Sequence, residues 1–198
     1  MPKRESYHHG DLRAALVEAA LTLIAERGID ALSVAEAARR TGVSPGAPYR
    51  HFPTRLALLK AAATRAAELL AADLRAATGK AENATEALAA AAGAYVRFVV
   101  RHRAGFDLIF AAQLRPLADP ALGEAGRAVM DTLLPVALEL TGDGQAALDL
   151  LQQHIAAAHG FAVLHLSGFM SRYSPDVDDV AEGAANASRA LAAAARGD

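Results

Sequence analysis

The sequence predicts an all-α chain of about nine helices: a small three-helix head followed by a larger helical bundle. Three observations lead there. Signals that start and stop helices recur along the whole 198 residues. No segment sustains the apolar-polar alternation of a strand. Alanine, the strongest helix former, is abundant, although a GC-rich genome gives the same enrichment. The division falls near Thr54, giving a head of residues 1–54 and a body of residues 55–198.

The first helix is expected from about Asp11 to Arg27, with Leu12, Leu16, Ala19, Ala20, Leu23 and Ile24 as its apolar stripe and Gly28 as its stop. Ser33 and Glu36 form a capping box that opens the second, which ends at Thr41-Gly42. Ser44-Pro45 opens the third, with a hydroxyl cap and proline at the first helical position. Pro48 removes a hydrogen bond one turn into it. Pro53-Thr54 starts a long fourth helix with Leu56, Leu59, Ala63, Ala66, Leu70 and Leu74 on one side. After a break at Gly79, Asn83 with Glu86 caps the fifth, which reaches about Arg103. The sixth spans roughly 104–114 and stops before Pro116. Asp119-Pro120 caps the seventh, which Pro135 should kink and Gly142 ends. Asp143 opens the eighth, to about Met170. Ser174-Pro175 caps the ninth, whose Asp176, Asp178 and Asp179 sit at its positive end.

Composition narrows the function. With no cysteine, disulfides and thiolate metal sites are excluded. The N-terminus lacks the apolar run of a secretory signal, and no stretch matches a membrane span, so a cytoplasmic protein is expected. The net charge of −2 conceals an asymmetry, because residues 1–60 carry +3 and the remainder −5. A basic head on an acidic body suits a protein that offers one end to a polyanion.

The second and third helices, joined by Thr41-Gly42-Val43, read as a helix-turn-helix, whose second helix enters the DNA major groove. The segment that follows gathers Tyr49, Arg50, His51, Phe52 and Arg55 around one short helix. Phe52 is read as a core anchor and the others as a polar, outward group. Residues 8–60, with Gly28, Ala31-Leu32-Ser33-Val34, Thr41-Gly42-Val43-Ser44 and Tyr49-Arg50-His51-Phe52-Pro53, closely resemble the TetR family of repressors. The resemblance implies phosphate contacts from Tyr49, His51, Arg55 and the capping hydroxyl of Ser33, which set register without reading sequence. Base contacts would then come from Ser44, Pro45, Gly46, Ala47 and Arg50, with Pro45 and Ala47 suited to thymine methyls and Arg50 to guanine. The family often carries a basic residue two positions after the helix-two cap. Ala35 stands there instead and leaves that contact empty. The arm of Lys3, Arg4, His8 and His9 either reaches an adjacent groove or is a tail without function.

In the body, His159-Gly160-Phe161-Ala162 is similar to the C-terminal domain named for a Trp-His-Gly pattern, although the tryptophan is missing. The resemblance implies a homodimer through the eighth and ninth helices, and a small-molecule effector that releases DNA. An effector cavity needs apolar walls and a few polar groups. Tyr95, Phe98, His102, Phe106, Phe110, Gln113, His154 and Phe161 are the candidates, with plain core as the alternative for the aromatic members.

No cofactor, metal or catalytic group is expected. Asp149, His154 and His159 on the eighth helix are separated by five residues each, a poor spacing for one helical face. A metal-responsive regulator would need ligands drawn from several helices, and a pure protein adaptor would leave the group around Tyr49 without a purpose.

Overall fold

A computed structural model describes residues 9–103, 106–109, 119–170 and 176–196. Lys3, Arg4, His8, Phe110, Gln113 and Ser174-Pro175 lie outside the described residues, as do the side chains of His9 and Phe106. Among the described residues every element is helical: α1 His9–Arg27, α2 Val34–Thr41, α3 Arg55–Thr78, α4 Ala84–His102, α5 Phe106–Ile109, α6 Pro120–Thr141, α7 Gly144–Leu166 and α8 Val177–Arg196. Short 3₁₀ turns occupy Ile29–Ala31 and Pro48–Arg50.

The caps explain where most helices begin. The side chains of Ser33, Thr54, Asn83, Asp119 and Asp143 each accept the amide three residues on, at 2.9–3.1 Å. The expected capping box is only half formed, because the Glu36 carboxylate turns to Arg39 at 2.7 and 2.9 Å. Gly42 and Gly142 end α2 and α6 in the left-handed conformation that glycine adopts without steric cost.

Two expectations need correction. The predicted third helix is not an α-helix, and this lowers the helix count. The chain turns at Pro45-Gly46 and then forms the single 3₁₀ turn of Pro48–Arg50. Pro48 has no N–H to offer the Ser44 carbonyl, so Ala47 N–H donates to it instead at 3.1 Å. The predicted eighth helix is shorter than expected. It stops at Leu166, with Ser167 as C-cap and Gly168 at φ 79°, before reaching Met170.

In the head, α1 buries Leu16, Ala20, Leu23 and Ile24 against Val34 and Ala37 of α2 and the start of α3. In the body, α3, α4, α6 and α7 enclose a core rich in Leu and Ala, and α8 lies along α4 and α7. Small residues let α4 and α8 approach closely: a Cβ on Gly93 would sit 3.4 Å from the Ala181 carbonyl oxygen. Arg97–Asp178 at 2.7 Å and Arg189–Glu86 at 2.9 Å tie the same pair of helices at their rims. α6 continues through Pro135, which is exposed. No described helix is long and apolar enough to cross a membrane.

Candidate nucleic-acid interface and effector cavity

The segment between α2 and α3 is held at both ends and exposed in between. At its start, Gly42 turns the chain and Val43 N–H donates to the Ala38 carbonyl at 3.4 Å. At its end, Pro48 and Phe52 are buried, and the Arg13 guanidinium covers the Phe52 ring at 5.3 Å. His51 and Phe52 amides both donate to the Pro48 carbonyl, at 3.0 and 2.8 Å. These anchors push Ser44, Pro45, Gly46, Tyr49 and Arg50 outward, and Tyr49 is 48% exposed. Ala47 and His51 are half-buried beside them. Seven of the nine expected DNA-contacting residues therefore lie on one short segment anchored at both ends.

The other two sit differently. Ser33 spends its hydroxyl on the Glu36 amide, at the mouth of α2. Arg55 points back into the head, where its Nε donates to the Leu32 carbonyl at 3.0 Å and its Nη2 to the Ile29 carbonyl at 2.7 Å. Its guanidinium thus adds a second donor to the Ile29 carbonyl, which already accepts the Leu32 amide at 3.2 Å, and bonds the Leu32 carbonyl beyond the turn.

A cluster of charges behind the turn has no counterpart in the sequence reading. Arg39 pairs with Glu36, Arg40 bonds both oxygens of Glu26, and Arg27 lies 3.6 Å from Glu36. Hydrogen bonds from Arg39 and Arg40 hold the Glu36 and Glu26 carboxyls below the usual range. The Arg39-Arg40 doublet at the end of α2 was a local signal for this cluster. Glu36, three residues before Arg39, is within reach along the same helix, whereas Glu26 on α1 is fourteen residues from Arg40.

In the body, the effector candidates separate into groups. Tyr95 and His154 line one small cavity of about 50 Å³ between α3, α4, α6 and α7. Tyr95 Oη lies 3.0 Å from His159 Nδ1, and His154 Nδ1 lies 2.9 Å from Ser188 Oγ on α8. Burial pushes the His154 imidazole down to about 4, so it is neutral at pH 7. Phe98 is buried elsewhere, its ring 4.7 Å from that of His102. Burial, and then the Arg101 charge, lower the His102 imidazole from its ordinary value. Phe161 packs against Gly183 of α8, where a Cβ would come within 2.9 Å of its ring. Among the described residues no group of three His, Asp or Glu side chains is placed to hold a metal ion.

Known proteins agree with this architecture. Residues 16–62 match the family described as bacterial regulatory proteins, tetR family. Residues 88–188, about half of the chain, match the tetracyclin repressor-like C-terminal domain.

The chain belongs to the TetR family.

It is a TetR-family transcriptional regulator with a DNA-binding helix-turn-helix head, and regulators of this family are not enzymes. A protein of unknown function from Rhodococcus sp. RHA1 is 34% identical, with a TM-score of 0.74, 94% of this chain covered and 98% of that one. A tetR-family transcriptional regulator from Streptomyces coelicolor is 24% identical, with a TM-score of 0.72 over 96% of this chain and 84% of that one. A transcriptional regulator from Saccharomonospora viridis, solved in complex with choline, is 19% identical, with a TM-score of 0.63 over 90% and 95%. At these two lower identities the likeness is one of fold. Among curated proteins, no sequence matches this chain.

Proposed function

We propose that the protein is a repressor that binds a palindromic operator as a homodimer and is released by a small-molecule effector. The observation that carries this reading is the exposed turn of Ser44 to Arg50, clamped by buried Pro48 and Phe52. In this reading Tyr49 and His51 bind phosphate oxygens, joined by Ser33, while Ser44, Pro45, Gly46, Ala47 and Arg50 face base edges. Arg55 acts through the head: by holding the Ile29 and Leu32 carbonyls it fixes α2 relative to α3.

The dimer is assigned to α7 and α8, the eighth and ninth helices of the sequence reading. Val163 and Leu164 at the end of α7 and Phe169 just beyond it are 42%, 43% and 66% exposed, which favours a partner surface there. Two-fold symmetry would then set two Ser44–Arg50 turns in successive major grooves. An effector that binds better to a form with mismatched spacing releases the operator. Tyr95 and His154 are the effector contacts that best fit the cavity.

Selection of bound duplexes from a random pool tests the reading. Recovery of two inverted half-sites about one helical turn apart is expected. A single unpaired half-site, or no enrichment, would sink the dimeric repressor.

A further inference from the structure

His154 is buried to 3% exposure and lines the small cavity between α3, α4, α6 and α7. Its Nδ1 is taken by Ser188 Oγ at 2.9 Å, and among the described residues nothing bonds its Nε2. That nitrogen is open to a ligand group, and a hydrogen bond to it inside so apolar a site would orient the ligand. The described walls are otherwise Leu, Ile, Val, Met, Ala and Gly, with Tyr95 as the single aromatic ring. None of them carries a charge. Among the described walls a carboxylate would find no cation, and a quaternary ammonium would find one ring and no carboxylate.

The cavity of about 50 Å³ is too small for most ligands, but it has a neighbour. An open, apolar groove of about 430 Å³ runs between α6 and α7. Met130 and Ile155 line both spaces and form the partition between them. Both are half-buried, and an unbranched methionine repacks easily. Joined, the two spaces fall within the roughly 300–1,000 Å³ of small-molecule sites. Tyr95 on the inner side and His159 on the groove side meet across the same wall.

We propose that the effector is an uncharged, largely apolar molecule bearing one hydroxyl or carbonyl group, which bonds His154 Nε2 after passing between Met130 and Ile155. A neutral imidazole presents either a donor or an acceptor at Nε2, so both groups fit. This rests on the effector-released reading above and narrows its ligand class.

The test is calorimetric titration of the full chain, without DNA, with three chain-matched probes: 1-octanol, octanoate and octyltrimethylammonium. Octanol is expected to bind at least tenfold more tightly than either charged probe. His154→Leu is expected to weaken octanol about tenfold, the effect of one buried hydrogen bond. Gly126→Leu serves as a second variant, because a Cβ at this cavity-lining position meets nothing within 4 Å. It should fold as the parent does and abolish octanol binding by filling the space. Equal or tighter binding of a charged probe, no binding of any probe, or unchanged binding to Gly126→Leu would overturn the inference. Duplex binding by the same preparations is measured separately. Octanol that binds without loosening the duplex would contradict effector release while leaving the cavity assignment intact.

Discussion

Lys60, near the start of α3, holds its ammonium 3.4 Å from Oδ2 of Asp119, the residue that caps α6. The pair ties the helix that leaves the DNA-binding head to the first turn of a helix that walls the cavity beside His154. The Leu122 amide, assisted by Lys60, holds the Asp119 carboxyl below its ordinary range. A depressed carboxyl contributes stability that is present above its unfolded pKa and lost as pH falls through the folded one. Asp119→Ala removes cap and pair together and is expected to cost about 1 kcal/mol. Lys60→Met removes only a partly exposed ion pair and should cost about 0.5 kcal/mol or less. Urea denaturation at pH 7 separates them; equal losses would show that the pair, not the cap, dominates.

His154 predicts a second acid sensitivity, of different origin. Its folded pKa of about 4 lies below the ordinary 6.5, so only the unfolded chain takes up this proton between those values. Stability is therefore complete above pH 6.5 and declines as pH falls toward 4. From pH 7 to 4.5 this one group accounts for a loss of about 2 kcal/mol. His154→Leu should shrink the difference in unfolding free energy between those two pH values by about that amount. An unchanged difference would mean the imidazole is not held neutral by burial.

Gly183 and Phe161 form a knob and a recess between α8 and α7. A Cβ at Gly183 would lie 2.9 Å from Phe161 Cε1, so the ring has to move for any larger residue. Gly183→Leu is expected to destabilise by about 1–3 kcal/mol despite the better helix propensity of leucine. Adding Phe161→Ala should recover much of that loss. A double-mutant cycle in thermal denaturation reads the coupling, and strict additivity would place the ring elsewhere.

Tyr49 and Arg55 should part company when each is replaced by alanine. Tyr49 is 48% exposed on the outward turn, so Tyr49→Ala is expected to leave the melting temperature unchanged and weaken all duplexes alike, by about five- to tenfold. Arg55→Ala unties the Ile29 and Leu32 carbonyls and should lower the melting temperature as well as DNA affinity. A changed sequence preference in Tyr49→Ala would make it a base-reading residue instead of a phosphate anchor.

Local chemistry carried most of the fold. Ser33, Asn83, Asp119 and Asp143 act as helix caps because a side-chain oxygen reaches an amide three residues away, a relation contained within one turn. The outward turn was legible for the same reason, since Gly42, Pro48 and Phe52 act on their neighbours. The third helix misled because its Ser-Pro start is a sound helix signal, and the missing N–H of Pro48 outweighs it in so short a segment. The sequence groups Arg55 with the outward residues, yet its guanidinium bonds carbonyls 23 and 26 residues away along the chain, beyond any local pattern. The same holds for Met130, Ile155 and Ser188, which become partners of His154 and its cavity only when α6, α7 and α8 pack.

The most direct test of the central claim is duplex binding measured by fluorescence anisotropy across a series of salt concentrations. The outward turn of Tyr49, Arg50 and His51 predicts affinity that falls linearly on a log-log plot, with Tyr49→Ala lying below the parent at every salt concentration and Arg50→Ala losing preference among duplexes. Affinity that does not change with salt, or that is unaffected when both Tyr49 and Arg50 are replaced, would contradict DNA binding through this turn.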